Sequence, residues 1–312
     1  MKLEKAILFE PWNLGDAVMA LAIALQDPTR LSLACNTKWH ELLRCATQGM
    51  NMPELIGVDL GYISRNKEGY LKFGDLPKLY KDATVLSIRG DIRDYYAARK
   101  IFPDLPILAN GWLPFLAKRS ALIDIPFASG WLPVRNRYKA WASLSNVEWS
   151  GVERYYQQKR PMATPRTITI HVGAQWRSRQ FPHVAELVEL LLKTSRVQII
   201  AGPGDQLPHG ISENDISRPA KSDLVNILKL SSHVITNDSG PMHLAALLRC
   251  RTIVVTRQAA IREWLPPTVV AVESKYAPKG YKPNAVHLSD VISSGWPSPD
   301  EVIDHLDTYL DE

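Results

Sequence analysis

The chain has 312 residues, 46% hydrophobic and 22% charged, with a formal charge of +5 and a pI of about 9.0. That length exceeds one small core and fits two domains, and the composition is that of a soluble globular protein. The mild basic excess favours acidic partners (phosphosugars, anionic glycolipid or nucleic acid) without choosing among them. No run approaches 18 consecutive apolar residues, which excludes a spanning helix and leaves surface association with a membrane open. Glu10 and Asp16 interrupt any signal-like start. Cys35, Cys45 and Cys250 are odd in number and lack metal spacing, so free thiols in a reducing cytoplasm are expected.

Ala6 to Phe9 reads as a buried first strand, Pro11 to Gly15 as a turn, and Asp16 to Gln26, apolar all round, as a buried helix. A strand at Arg30 to Ala34, a helix at Lys38 to Thr47, and strands at Pro53 to Val58 and Thr84 to Ile88 follow. This alternation predicts a parallel, doubly wound α/β sheet. From Arg89 to Arg160 twelve basic residues face six acidic ones, with Trp112, Trp131, Trp141, Trp149, Tyr155 and Tyr156 interleaved and several prolines. Two readings stand: irregular packing with a solvated face, or a loop-rich surface for an acidic sugar or a phospholipid layer. Gln157 to Pro165 reads as a linker, giving domains at 1–160 and 161–312.

The second half repeats the plan. Strands are expected at Thr167 to Val172, Arg196 to Ala201, Thr252 to Thr256 and Thr268 to Val272, and helices at Pro182 to Thr194 and Lys221 to Leu230. Ser298, Pro299 and Glu301 supply N-cap, N1 and N3 of a capping box for a last helix over 298–310, which could pack back on the N-terminal domain.

The organising stretch is His233 to Leu248. A short buried strand runs into Asn237-Asp238-Ser239-Gly240, then Pro241 at a first helical position, then an apolar helix. Free N–H groups and the positive helix end make such a corner an anion site, although a capped αβ corner has the same outline. The letters Asn237-Asp238-Ser239-Gly240-Pro241-Met242-His243 resemble the nucleotide-sugar turn of glycosyltransferase family 9, the heptosyltransferases of lipopolysaccharide synthesis. Asn13-Leu14-Gly15-Asp16 resembles the family's N-terminal Ser-Leu-Gly-Asp loop. His171-Val172-Gly173-Ala174 with Arg179-Gln180-Phe181-Pro182 resembles its His-Pro-Gly-Ala and Lys-x-Trp-Pro pair. Gly202-Pro203-Gly204-Asp205 resembles its Gly-Gly-Pro-x-Glu stretch.

The resemblance implies a GT-B fold, two Rossmann-like doubly wound domains facing across a cleft. It implies Asp16 as the base that deprotonates the acceptor hydroxyl, a role a positioned carboxylate fills with about 10²–10⁴-fold effect. Asp16 as a mere helix cap is the alternative, and Glu10 is a rival carboxylate. Asn13 and Gly15 stand beside the base. On the donor side it implies Asp238, Ser239, Gly240, Met242 and His243 at the diphosphate, Asp205 at the ribose, and Arg179 where the family has Lys. Arg keeps the charge and adds a bidentate fork; Arg177, two residues away, is the alternative. His171 reads as a structural strand-end histidine. No Asp-x-Asp pair occurs, so no metal is called for. The implied partners are a nucleotide-diphosphate sugar, ADP-heptose in this family, and an acidic inner-core glycolipid. The expected place is the cytoplasm, with peripheral contact at the inner face of the inner membrane. An enzyme with another donor or a protein acceptor, and a basic nucleic-acid-binding or scaffold protein, are the other readings.

Overall fold

Four consecutive apolar residues, Ala6–Phe9, form β1 and are buried throughout, as a strand covered on both faces requires. The turn after it feeds α1, Leu14–Ala24, in which every residue except Asp16 is buried. This helix is apolar all round because it is enclosed all round. It begins two residues earlier than the sequence suggests, with Asn13 as N-cap in an extended conformation. The computed structural model describes residues 4–58, 82–88, 92–109, 136–158, 160–161, 166–175, 179–257, 259–273 and 295–308.

The chain divides into two compact units, Met1–Tyr155 and Tyr156–Glu312. In the first, β2 (Leu31–Cys35), α2 (His40–Ala46, entered by a 3-10 turn), β3 (Leu55–Gly57) and β4 (Thr84–Ser87) follow α1. The stretch expected to be loop-rich is otherwise where it is described. It forms α3 (Ile92–Ile101), β5 (Ile107–Ala109), α4 (Arg137–Leu144) and α5 (Trp149–Gln157). Pro103 and Pro106 precede β5 rather than break an element. Asn136 caps α4 by accepting from Tyr138 N at 3.0 Å. Tyr138, Trp141 and Tyr156 are buried, so these aromatics are core and not surface. Trp112, Trp131 and Arg135 lie outside the described residues. Gln157, read as the linker's start, is the last residue of α5.

All pairings in this sheet are parallel, in the order β3-β2-β1-β4-β5. Ile7, Phe9, Val85, Ile101, Phe102 and Ile107 centre one core layer. Each such side chain contributes about 1.5–3 kcal/mol on burial.

The second unit contains β6 (Thr167–His171), α6 (Val184–Leu191), β7 (Arg196–Ile200), β8 (Ile216–Ser217), α7 (Lys221–Leu230), β9 (His233–Asn237), α8 (Gly240–Leu247), β10 (Arg251–Thr256), β11 (Val270–Glu273) and α9 (Pro299–Thr308). Its sheet is again parallel, in the order β11-β10-β9-β6-β7-β8. Numbered within the unit and read from β8, that is 3-2-1-4-5-6, the doubly wound Rossmann order. The capping box forms as expected: Glu301 N donates to Ser298 Oγ at 3.2 Å and Ser298 N to Glu301 Oε2 at 2.8 Å. The helix packs on α6 and beside β10 and β11, burying Val302 and Leu306 in this unit's core. The two-residue β8 has no sequence signal and was not expected.

In both sheets the strand order reverses at one place, between β1 and β4 in the first unit and between β6 and β9 in the second. Open α/β sheets bind ligands outside the carboxyl ends of the strands at such a point.

Candidate functional site

At the second unit's switch point, β6 ends at His171 and β9 at Asn237. The Asn237 side chain knits the two exits together. Its Oδ1 accepts from Phe181 N at 2.9 Å, and its Nδ2 donates to Val172 O at 2.9 Å and Gly173 O at 3.3 Å. One buried amide thus fixes three backbone groups of the neighbouring loop, where an unmade bond would cost about 1–3 kcal/mol.

Ser239 is the N-cap of α8, with an extended backbone and no side-chain cap bond. Its hydroxyl instead donates to Asn237 O at 3.2 Å and lies 3.3 Å from Thr236 Oγ1 and 3.4 Å from His171 Nδ1. The side chain therefore does not occupy the helix N-terminus, whose first-turn N–H groups attract anions. Gly240 opens the helix and Pro241 follows within its first two positions. Met242 and His243 are buried within it.

Asp238 is 5% exposed and held at both oxygens. Trp264 Nε1 donates to Oδ1 at 2.8 Å, and Arg179 Nη1 lies 3.1 Å from Oδ2. The Arg179 guanidinium also sits 5.8 Å from the centre of the Trp264 ring. Arg179 therefore reaches the turn, through the turn's own carboxylate, and its buried Nε has no hydrogen-bond partner among the described residues. Trp264, 26 residues downstream of Asp238, gave no sequence signal. Arg257, buried directly after β10, gave none either.

Asp205 sits against the same exits. Its Oδ2 accepts from Gly202 N at 2.7 Å and lies 3.8 Å from His171 Nε2. A Cβ on Gly173 would fall 1.7 Å from that oxygen, so glycine is what lets the carboxylate approach the β6 exit. Burial pushes the His171 imidazole down to about 4, against the pull of Asp205, so it is neutral at pH 7. Arg218 braces the Asp205 turn by donating to Gly202 O and, at 3.0 Å, to Asp205 O, while pairing with Glu213 at 2.9 Å. It too was missed by sequence reasoning.

In the first unit Asp16 occupies the third position of α1 and is not its cap. Its side chain is 14% exposed, with Arg137 Nη1 3.4 Å from Oδ1 and Asn13 Nδ2 3.4 Å from Oδ2. Gly15, the preceding residue, is buried. Glu10, the rival, is 1% exposed. With burial as the larger cause, its charge helps push the Cys35 thiol up to about 12. Trp12, between the two carboxylates in sequence, donates to Asp94 on α3. Arg177 lies outside the described residues.

Two parallel, doubly wound units of Rossmann type, with their polar residues at the switch points, define the GT-B class of fold. The form of that fold is the one seen in family 9 heptosyltransferase structures. No protein-family model matches the chain, and no curated protein matches it. Among solved structures, Escherichia coli heptosyltransferase WaaC with ADP aligns over 97% of this chain and 99% of its own, at TM-score 0.62 and 11% identity. A glycosyl transferase family 9 protein of Veillonella parvula aligns over 99% and 98%, at TM-score 0.60 and 15% identity. Escherichia coli ADP-heptose LPS heptosyltransferase II aligns over 98% of both chains, at TM-score 0.58 and 14% identity.

Proposed function

We propose that the protein is an inverting, metal-independent glycosyltransferase that moves heptose from ADP-heptose to an acidic inner-core lipopolysaccharide acceptor. One observation carries the reading. Three motifs far apart in sequence meet at the second unit's switch point, His171–Gly173 with Arg179, Asp205, and Asn237–Gly240, and the fourth, with Asp16 beside Asn13, follows β1 in the first unit. The ADP donor is taken from the relative that is described with ADP.

In this reading the first-turn amides of α8, the Ser239 hydroxyl and Arg179 hold the diphosphate, and Asp205 accepts from the ribose. The acceptor oxygen attacks the anomeric carbon, its proton passes to Asp16, and the bond from that carbon to the diphosphate oxygen breaks on the opposite face. Arg179 and the helix N-terminus meet the charge on the leaving diphosphate. Arg137, 3.4 Å from Asp16, stands where an acidic acceptor would approach. The partial exposure of Asp16 supports it over buried Glu10 as the group that meets a substrate.

Calorimetric titration with ADP-heptose, other nucleotide-diphosphate sugars and free nucleotides tests the reading. An ADP-sugar at 100 times its Kd adds about 2.7 kcal/mol of stability, readable as a thermal shift. Tighter binding of another nucleotide sugar moves the protein to a different donor with the site unchanged, and transfer to a protein rather than a glycolipid would change the acceptor. Steep, salt-sensitive binding to DNA or RNA without nucleotide-sugar binding would favour the nucleic-acid or scaffold reading. The rate is expected to be the same with and without chelator. We place the enzyme in the cytoplasm, peripheral on the inner face of the inner membrane; among the described residues no helix is long and apolar enough to cross a membrane.

A further inference from the structure

At the edge of the second sheet opposite its switch point, the described lead-ins of β6, β7, β9 and β10 hold basic residues and no acidic ones. Strands β7, β6, β9 and β10 start nearly in line there: Arg196 is level with Thr167, and His233 with Ile168 and Arg251. The described residues leading into these strands, with the first residue of each, are 160–161, 166–167, 192–196, 231–233 and 248–251. Six are basic (Arg160, Arg166, Lys193, Arg196, Arg249 and Arg251), and none is Asp or Glu. Lys193 and Arg196 are exposed, the other four are half-buried, and hydrogen bonds to backbone carbonyls join all but Lys193 in two sets. Arg196 N donates to Arg166 O at 3.2 Å, Arg251 Nη1 to Arg160 O at 3.2 Å, and Arg160 N to Arg249 O at 3.4 Å. The short β8 starts only level with Ile199, and Glu213 before it pairs with Arg218 beside Gly202, toward the other edge.

The first unit is an internal control. The residues leading into its five strands, 4–5, 25–30, 47–54, 82–83 and 102–106, hold five acids (Glu4, Asp27, Glu54, Asp82 and Asp104) and two bases (Lys5 and Arg30). A basic edge is therefore no by-product of a doubly wound sheet. Helix C-termini gather at this edge in both units and favour cations, but they did not exclude acids from the first.

A second observation coincides with the charge. The exposed large hydrophobic side chains among the described residues are Leu192, at 59%, and Leu230, at 68%. They stand directly after α6 and at the end of α7, on this same edge. Leu230, Ile227, Val197 and Arg196 line an open groove of about 390 Å³ there. Cations on the same edge as exposed leucines match an anionic bilayer, which takes charge at the headgroups and apolar side chains just beneath. A nucleic acid would use the cations but not the leucines, and these segments hold no Trp, Tyr or Phe to stack on bases.

We propose that this edge of the second unit is a membrane-contact surface, resting on anionic phospholipid headgroups with Leu192 and Leu230 inserted among them. This moves the peripheral contact away from the stretch at 89–160, apart from its last residue, Arg160, and does not depend on which donor the enzyme uses.

Co-sedimentation of the full chain with phosphatidylcholine vesicles, with and without phosphatidylglycerol, tests it. The wild type binds the anionic vesicles, and raised salt weakens binding. Lys193→Gln with Arg196→Gln lowers the partition about 25-fold, roughly fivefold for each charge. Leu192→Ser with Leu230→Ser lowers it about tenfold or more. All four side chains are exposed, so melting temperature and nucleotide-sugar Kd stay at wild-type values; the single variants Arg196→Gln and Leu230→Ser give the same ranking if a pair is poorly folded. No vesicle binding by the wild type, variants that partition like the wild type, or a loss caused instead by Arg135→Gln with Lys139→Gln would overturn the proposal. So would a DNA or RNA duplex that binds while vesicles do not. Nucleotide-sugar binding, measured in parallel, reports separately on the proposed enzyme.

Discussion

The two units share a strand order and a switch point but build different things on them. In the first, the exit of β1 leads to one partly exposed carboxylate on a helix, with Arg137 and Asn13 each 3.4 Å away. In the second, two strand exits are tied by Asn237 to three backbone groups, and the neighbouring carboxylates Asp205 and Asp238 are both engaged by fixed partners. The contrast is chemical. A group that exchanges a proton with a substrate has to be reachable and only loosely held. A surface that binds a diphosphate works best when its dipoles are already in place and need no reorganisation.

The largest effect should come from the first unit. Asp16→Asn is expected to lower the transfer rate by about 10²–10⁴-fold while leaving nucleotide-sugar Kd within a few-fold, since the proposed base acts on the acceptor. If Asp16→Asn keeps near-wild-type kcat and Glu10→Gln does not, the role belongs to Glu10. The mirror-image result is expected for the second unit. Ser239→Ala or Arg179→Ala should weaken diphosphate-bearing donors about ten- to a hundredfold, the worth of a hydrogen bond to a charged oxygen, and spare acceptor binding. Arg179→Ala should discriminate most between nucleoside diphosphate and monophosphate. Donor affinity left intact in both variants would break the division between the units.

The smallest effect sharpens the comparison through acid stability. His233, pushed to about 4 by burial and by the Arg166 and Arg251 charges, lies in the second unit, as does His171. A histidine depressed from 6.5 in the folded state takes up its proton more readily when unfolded. Its contribution is therefore complete above about pH 6.5 and is lost as pH falls toward 4. For His233 that amounts to at most about 3 kcal/mol. The second unit should loosen first on acidification, and His233→Gln should flatten the loss. Hydrogen exchange across pH 7 to 4 checks both; simultaneous opening of the two units would remove the distinction.

Several elements were legible from local chemistry. The apolar run of β1, the enclosed helix α1, the bounds of α7 and the capping box of α9 follow from residue pattern and cap type alone. The stretch after Arg89 was not, because its prolines and mixed charges hide the pattern: Tyr138 and Trp141 are core residues set among basic ones. Its periodicity is short and interrupted, and only packing against α1 decides which face is inside. The site divides the same way.

The sequence by itself determined that a strand, a small-residue turn and a helix start occur together at Asn237 to Pro241, and that a carboxylate lies at the start of the first helix. Those are local facts, set by backbone sterics and hydrogen bonding within a few residues. Only the tertiary structure decided that Arg179 meets Asp238, that Trp264 holds the other oxygen, that Gly173 is bare to admit Asp205, and that six cations from distant connections share one edge. Strand order and register bring these groups together from far along the chain, and a one-dimensional pattern carries no signal of contacts between residues that far apart.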